Sequence, residues 1–273
     1  MNWRPPFIRE IRELADGVGM LAATKEILQR NNITVRASGN TAVVEQHRGG
    51  CLFVGNHNKQ FEFIALMDFL GGLGNTRMVH IVKFYVERQV DWALGQPARA
   101  IVLPVYPRLL ASDRSNKLNA ELGSRILFHR SLRTLEESSR LNEESLRLAA
   151  HELSSGGIVN IFPCGSIVNN MTQPWRPGVG RMIGLLSNKV HDDVLIVPYH
   201  ANNINRARLL AAVAMQGRGP FGRPQTIDLE FGEPRTVAEV IRRVPEPSRG
   251  DPSAITDVLR QQYCESFAQI DGR

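Results

Sequence analysis

Cysteine is scarce in this chain, and that scarcity removes two structural options at once. Its three cysteines, Cys51, Cys164 and Cys264, stand far apart in a sequence of 273 residues. No C-x-x-C pair and no set of histidines at metal-ligand spacing accompanies them. Neither a disulfide framework nor a structural zinc site is therefore expected, and a reduced cytosolic compartment fits best. Long hydrophobic runs are missing too: no stretch reaches the ~18 apolar residues needed to cross a bilayer. The segment Met1 to Pro6 has no apolar core of a leader peptide, so no signal peptide is expected and any membrane contact should be peripheral. No internal repeat is present. No basic ladder interleaved with aromatics and no known nucleic-acid module is visible, which argues against a nucleic-acid partner.

What remains is an ordinary globular balance, 42% hydrophobic and 22% charged residues, enough to build a sizeable core. Lys and Arg number 33 against 27 Asp and Glu, a formal charge of +6. Such a surface attracts anions, phosphates and acidic lipids alike.

Periodicity then divides the chain. Phe7, Ile11, Leu14, Val18, Leu21 and Leu28 recur on one helical face of an N-terminal segment, residues 1–31, with Arg9, Arg12, Lys25 and Arg30 largely elsewhere. That face either packs on its own domain or lies on a bilayer flanked by cations. Two β-rich runs follow, Ile33 to Arg36 and Thr41 to Glu45, joined by the turn-forming Ser38-Gly39-Asn40, which predicts a hairpin or close strand pair. Four short apolar runs come next, at 51–54, 100–103, 158–162 and 194–197. Runs of this kind are buried on both faces, as strands of a parallel or mixed sheet are. Between them, Asn142 to Ser154 predicts a helix capped by Asn142, with Leu146, Ala149, Ala150 and Leu153 on its apolar face and Gly156-Gly157 as its stop. Residues 109–141, polar and basic, read as an inserted helical excursion or a mobile cover. Thr226 to Phe231 reads as a further strand, and a Pro-rich stretch separates it from a C-terminal helix around Ala254 to Ala268. The expected fold is α/β, a mixed and largely parallel sheet flanked by helices, in a single domain over 1–273.

One strand ends in chemistry. In Val54-Gly55-Asn56-His57-Asn58-Lys59-Gln60-Phe61-Glu62 a buried run stops at Gly-Asn-His, and a carboxylate follows the histidine by five positions. Strand ends of such sheets are where sites collect. A neutral imidazole accepts a hydroxyl proton near neutral pH, and a carboxylate on its other nitrogen fixes the tautomer and stabilises the imidazolium. A helix beginning near Phe61 would hold Glu62 close to the strand end. Chance alone also supplies such a spacing, and a solitary histidine there can simply complete a strand end. Cys164 has two readings, a small buried filler or a nucleophile activated by His57. Lys83 and Arg176 either bind phosphate or stand as solvated charges. Gly165, Ser166 and Gly178 are turn residues whose backbone amides could approach an anion. His80, His151 and His200 are read as structural or surface residues.

Specificity comes from the flanks. The His57 block, then Ile161-Phe162-Pro163-Cys164-Gly165-Ser166, then Val194-Leu195-Ile196-Val197-Pro198, occur in that order. With Val79 to Lys83 and Trp175-Arg176-Pro177-Gly178-Val179-Gly180 between them, they resemble the lysophosphatidate acyltransferase superfamily over roughly residues 33 to 232. In that family the first block is Asn-His with an Asp five positions after the His, the third is Phe-Pro-Glu-Gly-Thr, and the fourth is an apolar strand ending Val-Pro. Here Glu62 replaces the Asp and lengthens the arm by one methylene. Cys164 replaces the Glu, and Ile167 follows Ser166 where a base is common.

The resemblance implies a fatty acyl transfer from a coenzyme A or acyl-carrier-protein thioester to a hydroxyl of a lysophospholipid or other lipid-like acceptor. His57 would be the general base and Glu62 its support, with Lys83, Pro163, Cys164, Gly165, Ser166, Arg176 and Gly178 toward substrate. It implies no metal or redox cofactor, and a peripheral position on the cytosolic face of a membrane. Two other readings stay open: a catalytically reduced member that binds lipid or a partner, and a Cys164-dependent thioester hydrolase or transferase.

Overall fold

The computed structural model describes residues 19–57, 62–74, 78–83, 100–105, 135–164, 174–187, 193–205 and 224–268. They form an α/β fold around one mixed, mostly parallel sheet. The strands are β1 (Ile33–Gly39), β2 (Cys51–Gly55), β3 (Met78–Lys83), β4 (Ala100–Val105), β5 (Ile158–Ile161), β6 (Leu195–Asn202), β7 (Gln225–Phe231) and the two-residue β8 (Arg235–Thr236). Their order is β1-β7-β6-β2-β5-β3-β4, with β8 alongside β6. From β6 to β4 every pair is parallel, while β7 and β8 run antiparallel to β6. The expected fold class is the observed one.

The apolar runs are explained by burial on both faces. In β2, Leu52 and Val54 enter one core cluster while Cys51 and Phe53 enter the other. Neither parity is free to be polar, so the strand reads as continuous. On one face lie α1 (Met20–Arg30), the short α2 (Thr41–Gln46) and α3 (Glu62–Gly72), packed over Phe53, Val197, Tyr199 and Phe231. On the other lie α4 (Leu135–Ser154), α5 (Gly178–Ser187), α6 (Val237–Arg243) and α7 (Pro252–Phe267), around Trp175, Ile183, Leu259 and Tyr263.

Three expectations change. Thr41 to Glu45 is helical, not a strand, because β1 takes β7 as its parallel partner and needs no hairpin mate. The turn at Gly39 then leads into α2, which buries Val44. Second, α4 begins at Leu135, with Glu136 and Glu137 in its first turn, so Asn142 is interior and no cap. No Pro or Gly interrupts the chain from Leu135 to Ser154, and nothing forces a break where the cap was expected. Third, the end of the 109–141 segment is therefore part of α4; residues 106–134 lie outside the described residues. The predicted apolar face of α4 is buried, and Gly156, at a φ of 80°, ends the helix. In the N-terminal segment only α1 is described. Leu21, Ala23 and Leu28 are buried against α3, so this part of the amphipathic face packs on its own fold.

Candidate active site at the end of strand 2

His57 follows directly on the last ladder position of β2. The register with β6 ends at Gly55 opposite Tyr199. Asn56 then replaces the missing ladder rung with its side chain: Nδ2 donates to the Ala201 carbonyl at 2.9 Å and Oδ1 accepts from the Ala201 N–H at 2.8 Å. This amide, fully buried, anchors the backbone while letting it leave the sheet, and His57 emerges at a fixed place.

Glu62 is the first residue of α3 and is completely buried. A helix N-terminus favours negative charge, because its first N–H groups are unspent and the peptide dipoles align behind them. His57 Nδ1 lies 3.4 Å from Glu62 Oε2, with the imidazole side chain 19% exposed. That is ion-pair distance for a protonated ring, and contacts of this kind tighten when substrate binds. With Nδ1 facing Glu62, Nε2 is the nitrogen turned to other chemistry.

Phe162 holds the ring from its flat side. The imidazole and the phenyl group stack with centroids 4.3 Å apart and planes 17° from parallel. Phe162 leaves the end of β5, which pairs parallel with β2, so both rings leave the same edge of the sheet. An aromatic face stabilises a cation above it, and the stack suits the imidazolium as well as the neutral ring.

The other candidates divide. Pro163 and Arg176 meet through the backbone, the Arg176 N–H donating to the Pro163 carbonyl at 3.0 Å. Arg176 itself is exposed, and Gly178 is the first residue of α5. Lys83 is the last residue of β3, a strand that runs parallel to β5 and so ends at the same edge of the sheet as β2. Gly165 and Ser166 lie outside the described residues. Cys164 is buried in the cluster of Trp175 and Tyr263, on the face of the sheet away from Glu62, and burial pushes its thiol up to about 11. A thiol so placed stays protonated at neutral pH, which fits the filler reading. His200 is likewise structural, buried with Nδ1 2.9 Å from the Tyr263 hydroxyl.

Sequence reasoning missed Phe162 as the partner of His57, although it stands in the quoted Phe-Pro block. It also passed over Asn160, the one polar residue in an otherwise apolar strand. Among the described residues no group of three or more His, Cys, Asp or Glu is placed to hold a metal ion, and no helix is long and apolar enough to cross a membrane. No protein-family model matches the chain, and a comparison with curated proteins finds no match.

Proposed function

We propose that this chain transfers a fatty acyl group from a thioester to a hydroxyl, in the manner of the superfamily its motifs resemble. The observation that carries the reading is the His57–Glu62 pair, 3.4 Å apart at the end of a parallel strand, with the carboxylate fully buried at a helix N-terminus.

The steps follow from that pair. Nε2 of His57 takes the acceptor's hydroxyl proton as its oxygen attacks the thioester carbonyl carbon. Glu62 stabilises the imidazolium through Nδ1–H, and Phe162 keeps the ring in plane. The tetrahedral intermediate collapses, the C–S bond breaks, and the sulfur leaves with its electron pair. An ordinary thiol has a pKa of about 8.5, so the thiolate departs readily and then takes the proton from His57. Coenzyme A or an acyl-carrier protein is the proposed donor, and a lysophospholipid or other lipid-like alcohol the acceptor. The altered third block, with Cys164 in place of an acidic residue, favours an acceptor other than lysophosphatidate. A peripheral position on the cytosolic face belongs to the same proposal and draws on the charge of +6.

Incubation with a labelled long-chain acyl thioester and a panel of lipid and polar alcohols tests this. Transfer should occur to at least one alcohol, and His57→Ala should lower its rate by about 10²–10⁴-fold, the usual contribution of a general base. Transfer unchanged in His57→Ala, or binding of the thioester without transfer to any alcohol, would overturn it.

A further inference from the structure

Three buried polar side chains, Tyr199, Asn160 and His80, lie on the face of the sheet that α3 covers and take no part in the steps above. Asn160 interrupts the apolar run of β5, and its register partners are Phe53 on β2 and His80 on β3. Tyr199, on β6, stands opposite Gly55 of β2, and its hydroxyl donates to Asn160 Oδ1 at 2.9 Å. The bond therefore passes over β2. A Cβ at Gly55 would stand 2.2 Å from Cζ of the phenol and 2.4 Å from its oxygen, so the glycine of the Gly-Asn-His block is the gap through which the contact is made. On the far side Asn160 Nδ2 lies 3.2 Å from Nδ1 of His80, which packs edge-on against Phe63. An amide nitrogen can only donate, so Nδ1 accepts. Two hydrogen bonds thus run from β6 to β3 across both strands between them.

This polar chain sits where the backbone ladders run out. Between β2 and β6 the pairing reaches Gly55 and Tyr199, and the Asn56 amide continues it to Ala201. Between β2 and β5 it stops one pair earlier, at Val54 and Ile161. Phe162 comes next, two residues after Asn160, and residues two apart on an extended chain face the same way. Its ring packs against the cluster of Phe53 and Tyr199 and stacks on His57. The side chain that meets the Tyr199 hydroxyl is therefore the same-face neighbour of the one that holds the imidazole. Buried polar partners add little stability over apolar groups of the same shape. What they add is direction, because a hydrogen bond accepts a narrow range of distance and angle.

We propose that Tyr199 and Asn160 are positioning residues: the hydrogen bond between them, made through the gap at Gly55, ties the end of β5 to β6 and so seats Phe162 against the His57 imidazole. His80 supports the arrangement from the other side, since by accepting from Nδ2 it turns Oδ1 of the amide toward the phenol. The backbone ladders bring the strands together, and the side-chain bond fixes how the two rings meet beyond the last paired residues. The catalytic meaning of this strap rests on the acyl-transfer reading; the seating of the rings does not.

Tyr199→Phe tests this, because it removes the hydroxyl and keeps the ring. Two quantities are read in the full chain: nuclear Overhauser contacts between the His57 and Phe162 rings, without substrate, and steady-state acyl transfer. The ring contacts should weaken severalfold and kcat should fall about 10-fold, with KM for the thioester changed by less than about twofold. Tyr263→Phe is the control. It deletes the hydroxyl that meets His200 in the core on the opposite face of the sheet, and should leave both quantities as they are in the native chain. Ring contacts intact in Tyr199→Phe, or weakened with kcat unchanged, overturn the proposal. So does an equal loss in Tyr263→Phe, which would mean that any lost buried hydroxyl loosens the site. Should Tyr199→Phe not fold, Asn160→Ser, too short to reach the phenol, makes the same comparison. Ring contacts that respond as expected, without acyl transfer to any alcohol, would sink the functional reading alone; transfer with ring contacts unmoved in Tyr199→Phe would sink this proposal alone.

Discussion

A neutral imidazole shut inside a sheet ties stability to pH, and His80 is such a group. Its ordinary value of 6.5 falls to about 4 on burial. Above 6.5 both the folded and unfolded chains hold it neutral, and the stability is fully present. Between 6.5 and about 4 the unfolded chain binds a proton that the folded one refuses, so stability falls with pH, by roughly 3 kcal/mol if the whole shift is realised. Asp68 acts in the opposite sense: burial raises its carboxyl from 3.8 to about 6, against the lowering effect of Lys25. Its folded form gains protons first between those values, and it favours folding as the pH drops. The clean measurement is a difference. His80→Gln should lose less of its melting temperature between pH 6.5 and 4 than the native chain does, and equal losses would refute this account. At the same scale, His57 and Glu62 were legible in sequence because both lie within one short segment joined by a helix start. Phe162, Asn160 and Tyr199 were not, because their contacts depend on which strands are neighbours and in what register. A polar residue inside an apolar run was the only signal, and it says that a partner exists without saying which.

Among the elements, α5 and α7 approach more closely than side chains usually permit. A Cβ on Gly180 would stand 1.9 Å from the Pro252 carbonyl oxygen and 2.5 Å from the Thr256 hydroxyl oxygen. The Gly180 N–H donates to that same hydroxyl at 3.1 Å. Gly180→Ala must push the helices apart, at a cost of about 1–3 kcal/mol. Urea unfolding should show it as a lower midpoint, and an unchanged midpoint would mean that the contact is looser than described. Gly180 was quoted only as part of a motif; its need for close approach could not be read before α7 was known to lie there. β2, β5 and β6 were readable because their short apolar runs carry one nearly unbroken signature, whereas β3, interrupted by His80, was quoted only as part of a motif. Thr41-Ala42-Val43-Val44-Glu45 was misread because its β-branched residues suit strands equally well, and only the pairing of β1 with β7 withdrew the partner a hairpin needs. The start of α4 was placed too late because Asn142, a good cap in isolation, has a helix-compatible Leu135 to Leu141 before it.

For the molecule as a whole, the charge of +6 gives the membrane proposal a measurable form. Vesicles with anionic lipid should capture the chain at low salt and release it as ionic strength rises, since each basic side chain near such a surface contributes about 1 kcal/mol before screening. Capture by purely zwitterionic vesicles, insensitive to salt, would instead assign the contact to an apolar face. The mixed sheet also shapes how the molecule comes into being. Cys51 at the head of β2 pairs with Ile158 on one side and Leu195 on the other. His57 thus depends on neighbours from remote stretches of the chain, and no local fragment can assemble its surroundings. Closing such large loops precedes any reward from pairing, and parallel pairings of this kind are slow. On refolding from denaturant, the His57 environment should return with the final cooperative phase rather than with the early helices. The strand ends that carry His57 and Phe162 would then be among the last parts of the chain to take shape.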